Sequence, residues 1–333
     1  MNIFNNRNLL ELAERNASKI VEVCAGIKHN ERVLIITDKN RPITVSQILA
    51  RNAAKIAQQV SIIITFDKIT QLNNFITSSI KKADVILAPT TKTIGHSTTI
   101  MNALSKGSRV LALTEFNENS LLSESFDTDF LKLRTLIEKV EKEFNRAGRV
   151  HVFTSEGTDI FLDITGRIAR SCSGICHNPG EMMAIPDVEV YIAPIENKTN
   201  GRLVVDASCS SIGIVKEKIV LEIKNGIVIN IEGGNEAKKL KNILYKTNSK
   251  SSYIVGEFAI GLNPKGTVIG TISVDEGIYG TGHFALGKNI TFGGKNDAPI
   301  HLDMVYWKPN VELGNRLFME NGELVMLKKS ERS

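Results

Sequence analysis

Four short apolar runs, VLIITD (33–38), VSIIITF (60–66), DVILAP (84–89) and RVLALT (109–114), constrain this chain most. Each reads as a strand buried on both faces, which is the habit of parallel sheets. Segments with helical spacing separate them. In 41–59, Ile43, Ile48, Leu49, Ala53 and Ile56 recur at near-helical spacing. Further helices are expected over 70–83, near 97–106 with Gly107 ending it, and over roughly 127–146. In the last, Leu131, Leu133, Leu136, Ile137 and Val140 are expected to face the core. Strand alternating with helix gives an open α/β domain.

The texture changes near residue 149. VHVFTS, TDIFLDI, EVYIAP, RLVVDAS, KIVLEIKNGIVINIEGG and TVIGTISV are short strands broken by Gly, Asn and Asp, and KNGI is a hairpin signal. One clear helix, 235–247, interrupts them. The expected organisation is an α/β N-terminal domain with a mostly parallel sheet (1–148), followed by a β-rich α+β metal-binding domain (149–333).

The chain of 333 residues, 42% hydrophobic, supports two cores. A net charge of +5, spread without interleaved aromatics, leaves no nucleic-acid footprint. No apolar run reaches the roughly 18 residues of a membrane span, and the polar start MNIFNNRNLLELAERN is not a signal peptide. A cytoplasmic protein is expected, with neither nucleic acid nor membrane as partner. The four cysteines are too dispersed for a disulfide scaffold. Cys172, Cys176 and His177 form CxxxCH, which lacks a second cysteine pair and reads as structural. No Walker loop or GxGxxG occurs.

The chemistry-bearing side chains gather in the second half. DVEVYIAP carries Glu189, GEFAIGLNP carries Glu257, DEGIYGTGHFALG carries His283, and IHLD carries His301 and Asp303. On a strand, His301 and Asp303 share a face because side chains alternate. Two imidazoles and three carboxylates suit divalent zinc, manganese, cobalt or iron(II). Five protein donors exceed what one catalytic zinc usually takes and suit two ions per chain, with one carboxylate bridging. From spacing alone, ordinary hydrogen-bonded pairs fit these residues equally well.

Six stretches in order, GTDIFLDITGR (157–167), NPGEMMAIPDVEVYIAPIE (178–196), GRLVVD (201–206), GEFAIGLNPKG (256–266), DEGIYGTGHFALG (275–287) and GGKNDAPIHLD (293–303), resemble the thermophilic-type metalloaminopeptidases, peptidase family M29, the aminopeptidase T or leucyl aminopeptidase-like group. That resemblance implies Glu189, Glu257, His283, His301 and Asp303 as ligands of two ions, a peptide or small-molecule substrate, and a homodimer or larger homo-oligomer. The same scaffold resembles the 2,5-dihydroxypyridine 5,6-dioxygenases, mononuclear iron(II) enzymes. There the resemblance implies a histidine where Glu257 stands, and no ligand role for the counterparts of Glu189 and His283. The peptidases carry a tyrosine beyond the HxALG histidine; here Ile290 is its counterpart. The expected activity is aminopeptidase-like hydrolysis, with an iron(II) oxygenase acting on a small, aromatic metabolite as the alternative. Glu257 or Glu276 would be the proton acceptor and Tyr279 a replacement hydroxyl. His96 is read as a helix cap or a substrate-facing group.

Overall fold

The computed structural model describes residues 3–69, 72–95 and 97–330, so His96 lies outside the described residues. The chain divides into two compact units. They are not the contiguous stretches 1–148 and 149–333 that the sequence suggests. The first runs to Lys132 and takes back Cys172–Asp187; the second holds Leu133–Ser171 and everything from Val188.

The first unit is the expected α/β sheet, and it is wholly parallel: Gln59–Thr65, Arg32–Asp38, Val85–Ala88, Arg109–Ala112 and Met182–Ala184, in that spatial order. Its fifth strand explains the discontinuous unit. Met182, Met183 and Ala184 pair with Val110, Leu111 and Ala112, so a segment late in the chain completes an early sheet. Leu34, Ile36, Ile86, Ala88 and Val110 pack against Ile76, Ile80, Ile100 and Ala103 of the helices Asn74–Ile80 and Thr98–Ser105. Each isoleucine or leucine buried so contributes about 2 kcal/mol. Ser97 caps the second of these helices by accepting from the Ile100 backbone N–H.

Arg109 is the electrostatic hub of this unit. Its side chain is 6% exposed and grips Glu31 at 2.8 Å, while it also donates to the carbonyls of Ala25 and Cys176. Burial pushes the Glu31 carboxyl up, but Arg109 outweighs it and holds Glu31 below the usual carboxylate range.

The second unit contains two antiparallel sheets. The first has eight strands; at one end Ile219–Lys224 and Ile227–Gly233 form the hairpin expected from KNGI. Asn225 and Gly226 both take positive φ there, at 50° and 75°. The second has seven strands in the order Gly213–Ile214, Ser208–Cys209, His301–Trp307, Thr281–Gly287, Val255–Gly261, Glu189–Ile192 and Arg170–Cys172.

The helix Phe130–Arg146 buries Ile137, Val140 and Phe144, and Phe144 stacks on Phe258 with centroids 5.7 Å apart. Leu131, expected to face the core, is 57% exposed because it falls on the opposite side of the helix. Among the described residues, no helix is long and apolar enough to cross a membrane.

Candidate metal centre

Four neighbouring strands of the seven-stranded sheet bring the expected donors to one face. Register decides this. Glu189 stands opposite Gly261, Glu257 opposite Ala285, Ala285 opposite Asp303, and Gly287 opposite His301. Residues paired across an antiparallel sheet share a face, so Glu189, Glu257, His283, His301 and Asp303 all project the same way. Between Val255 and Glu257 the pairing slips by one residue at Gly256, a bulge of the kind that re-aims a side chain. Phe258, Phe284 and Leu286 fill the other face with core.

The donors converge closely. His283 Nε2 lies 3.2 Å from Glu189 Oε2 and 3.9 Å from Glu257 Oε1. His301 Nε2 lies 3.1 Å from Glu257 Oε2 and 3.0 Å from Asp303 Oδ1. Three sets of donor atoms lie within 4.8 Å of one another: Glu189, Glu257 and His283; Glu257, His301 and Asp303; and Glu276, His283 and Asp303. Each set among the described residues contains one imidazole. Glu257 belongs to the first two sets and turns one oxygen to each.

The donor set fits divalent ions. Nδ1 of His301 donates to the Lys288 carbonyl oxygen at 2.7 Å, which leaves Nε2 to face the carboxylates. Crowded Lewis bases of this kind need a cation between them, either a proton or a metal. Burial lowers the His301 imidazole, but Asp303 and Glu257 outweigh it and hold it well above its ordinary value. Burial raises Glu257 and Asp303, yet the histidines beside them bring both below the usual carboxylate range.

The supporting shell was not legible in the sequence. Ser210 donates from Oγ to Asp303 Oδ2 at 3.3 Å and accepts the Asp303 backbone N–H at 3.1 Å. Nothing in CSSIG distinguishes that serine before the strands are paired. Glu276 reaches the cluster through a close approach of backbone to sheet. A Cβ on Gly261 would collide with the carbonyl oxygen of Ile278, so only glycine lets the loop carrying Glu276 lie so near. Its neighbour Asp275 is fully buried, raised by burial, and accepts the N–H groups of Ile269 and Gly270 at 2.8 and 2.9 Å.

The Tyr279 hydroxyl, expected as a replacement hydroxyl, accepts the Leu324 backbone N–H at 2.9 Å and so ties down the C-terminal strand. The CxxxCH segment is structural: Cys176 Sγ donates to the Glu181 carbonyl, and burial pushes its thiol up to about 12. His177 Nε2 donates to the Val23 carbonyl at 2.7 Å.

The sequence model of the 2,5-dihydroxypyridine 5,6-dioxygenase family matches residues 17–326. A 2,5-dihydroxypyridine 5,6-dioxygenase of Pseudomonas putida is 26% identical over 264 residues, covering 76% of this chain and 74% of that protein. The solved structure of the 2,5-dihydroxypyridine dioxygenase from Pseudomonas putida KT2440 superposes with a TM-score of 0.78 at 20% identity, over 94% of this chain and 96% of that one. AmpT from Thermus thermophilus superposes with a TM-score of 0.68 at 14% identity, over 95% and 99%.

Proposed function

The chain belongs to the 2,5-dihydroxypyridine 5,6-dioxygenase family, and within that family of enzymes we propose that it is a metal-dependent hydrolase, cleaving an N-terminal aminoacyl amide at a centre of two divalent ions. The observation that carries this reading is Glu257, whose two oxygens face two different histidine-containing donor sets. Glu189 and His283 would hold one ion, His301 and Asp303 the other, and Glu257 would bridge. Zinc, manganese or cobalt suits such mixed donors. Ions so held would acidify a bound water and polarise the carbonyl of the scissile bond.

The chain's own groups would do the rest. Glu276 sits beside His283 and Asp303, where its carboxylate can take the proton of the attacking water and return it to the departing amine. His301, the most exposed of the five ligands, marks the side from which substrate enters.

Family membership favours a second reading, an iron(II) oxygenase acting on a small aromatic metabolite. Two imidazoles and one carboxylate on a single iron would be its usual site. Among the described residues, no set of three mutually close donors contains both imidazoles, and this weighs for the hydrolase.

Elemental analysis of protein purified without chelator or oxygen tests the choice. Two ions of zinc, manganese or cobalt per chain, with release of amine from aminoacyl amides, is the expected result. One iron per chain with oxygen uptake on dihydroxylated aromatics would replace the hydrolase by the oxygenase.

A further inference from the structure

The parallel sheet of the first unit ends in a strand with no neighbour on its outer side among the described residues. Gln59–Thr65 pairs with Arg32–Asp38 through seven residues without a bulge, and it is the last strand of its sheet. The Gln59 N–H reaches the Glu31 carbonyl, and the Thr65 carbonyl accepts the Lys39 N–H. The odd-numbered residues thus turn their backbone groups inward, and Val60, Ile62 and Ile64 turn theirs outward.

An open edge of this kind is usually blunted by a lysine, a proline, a bulge or a covering loop. QVSIIIT has no charge and no proline. Ile64 is 43% exposed, and Phe66 just beyond the strand is 73% exposed. Beside the strand, the helix Ile43–Ala53 leaves a groove of about 440 Å³ lined by Gln47, Ala50, Arg51 and Ile62. Left unpaired, a long apolar edge is an aggregation hazard.

The strand is complementary to itself. In an antiparallel pair with Ile62 on a two-fold axis, Ile62 exchanges both backbone hydrogen bonds with the partner's Ile62, and Val60 exchanges its own with the partner's Ile64. That antiparallel register alone satisfies every outward group of the three residues on both chains. Charge does not oppose it. The strand carries none, and Arg51, the charge at the groove, is held by Glu14 at 2.8 Å. A neutral edge of this kind suits its own copy better than a charged peptide.

We propose that two copies of this chain join through Gln59–Thr65 about a two-fold axis at Ile62, so that two five-stranded sheets become one of ten strands. The interface depends on neither reading of the metal centre.

Light scattering on the full chain is expected to show an even number of copies. Ile64→Lys puts a charge on the edge without touching the core, and should halve that number while circular dichroism stays native. Ile62→Cys tests the register, and still decides if Ile64→Lys fails to fold. The four native cysteines are buried and unpaired. Only position 62 faces itself, at a Cα separation of about 5.5 Å that a disulfide can span. Mild oxidation should therefore link Ile62→Cys into dimers. Val60→Cys and Ile64→Cys should link when mixed, but neither alone, because each thiol lies roughly 13 Å from its own copy. A monomeric wild type would overturn the interface, and so would an Ile62→Cys protein that stays unlinked. Linking of Ile64→Cys alone would overturn the register.

Discussion

Each unit buries charge, and the two do so in opposite ways. In the first, the Arg109 guanidinium meets Glu31 and two backbone carbonyls, so the charges close on one another. In the second, four carboxylates, Glu189, Glu257, Glu276 and Asp303, crowd two imidazoles, and the charges that draw Glu257 and Asp303 down are those of the imidazoles themselves. Desolvated charge is tolerated only when compensated. A closed pair holds a fold together; a cluster short of positive charge invites a cation from outside. The contrast separates buried charge that is architecture from buried charge that is a site.

Substitutions can break that contrast. Asp303→Ala has the largest expected effect. It should cost metal and lower kcat/KM about a thousandfold while circular dichroism stays native; full metal retention would remove Asp303 from the centre. Arg109→Met should do the reverse, leaving metal stoichiometry intact and costing about 3 kcal/mol in urea unfolding. Because Glu31 is held below the usual carboxylate range, the pair stabilises the fold above that range and loses its effect as pH falls through it. The acid limb of the stability profile should therefore flatten in Arg109→Met, and an unchanged limb would deny Glu31 that role.

Ser210→Ala lies between these. Removing a group that orients a ligand typically weakens metal binding about tenfold, which competition against a chelating dye would read, and Ser210→Thr should recover it. An unweakened Ser210→Ala would make the contact incidental. The smallest effect belongs to Tyr279→Phe, expected to cost about 1 kcal/mol through the lost acceptor for Leu324 with turnover unaltered. A large fall in turnover would restore Tyr279 to the chemistry.

Three of the four apolar runs announced their parallel strands because burial on both faces leaves an uninterrupted signature, whereas Gln59–Thr65, equally apolar, lies at the sheet edge and leaves Ile64 43% exposed. Met182–Ala184 escaped, being three residues whose pairing with Arg109–Ala112 depends on distant chain. The candidate donors were legible as residue types in glycine-flanked strands, and the five that the resemblance implies are ones the structure brings together. Their convergence was not legible, since it depends on register across four strands. Ser210 escaped for a related reason: a serine acquires meaning at a site only from what pairing sets beside it.

Gly261 has a consequence for how this chain can vary. A methyl group there would meet the Ile278 carbonyl, and even alanine would lift the loop and draw Glu276 away from the ligands. Such a chain could still assemble its sheet and take up metal, yet lack the proton acceptor we propose. The position is thus closed to drift by something no side chain contributes, and if Glu276 acts as proposed, a population of variants would register it first as intolerance at a residue with no chemistry of its own.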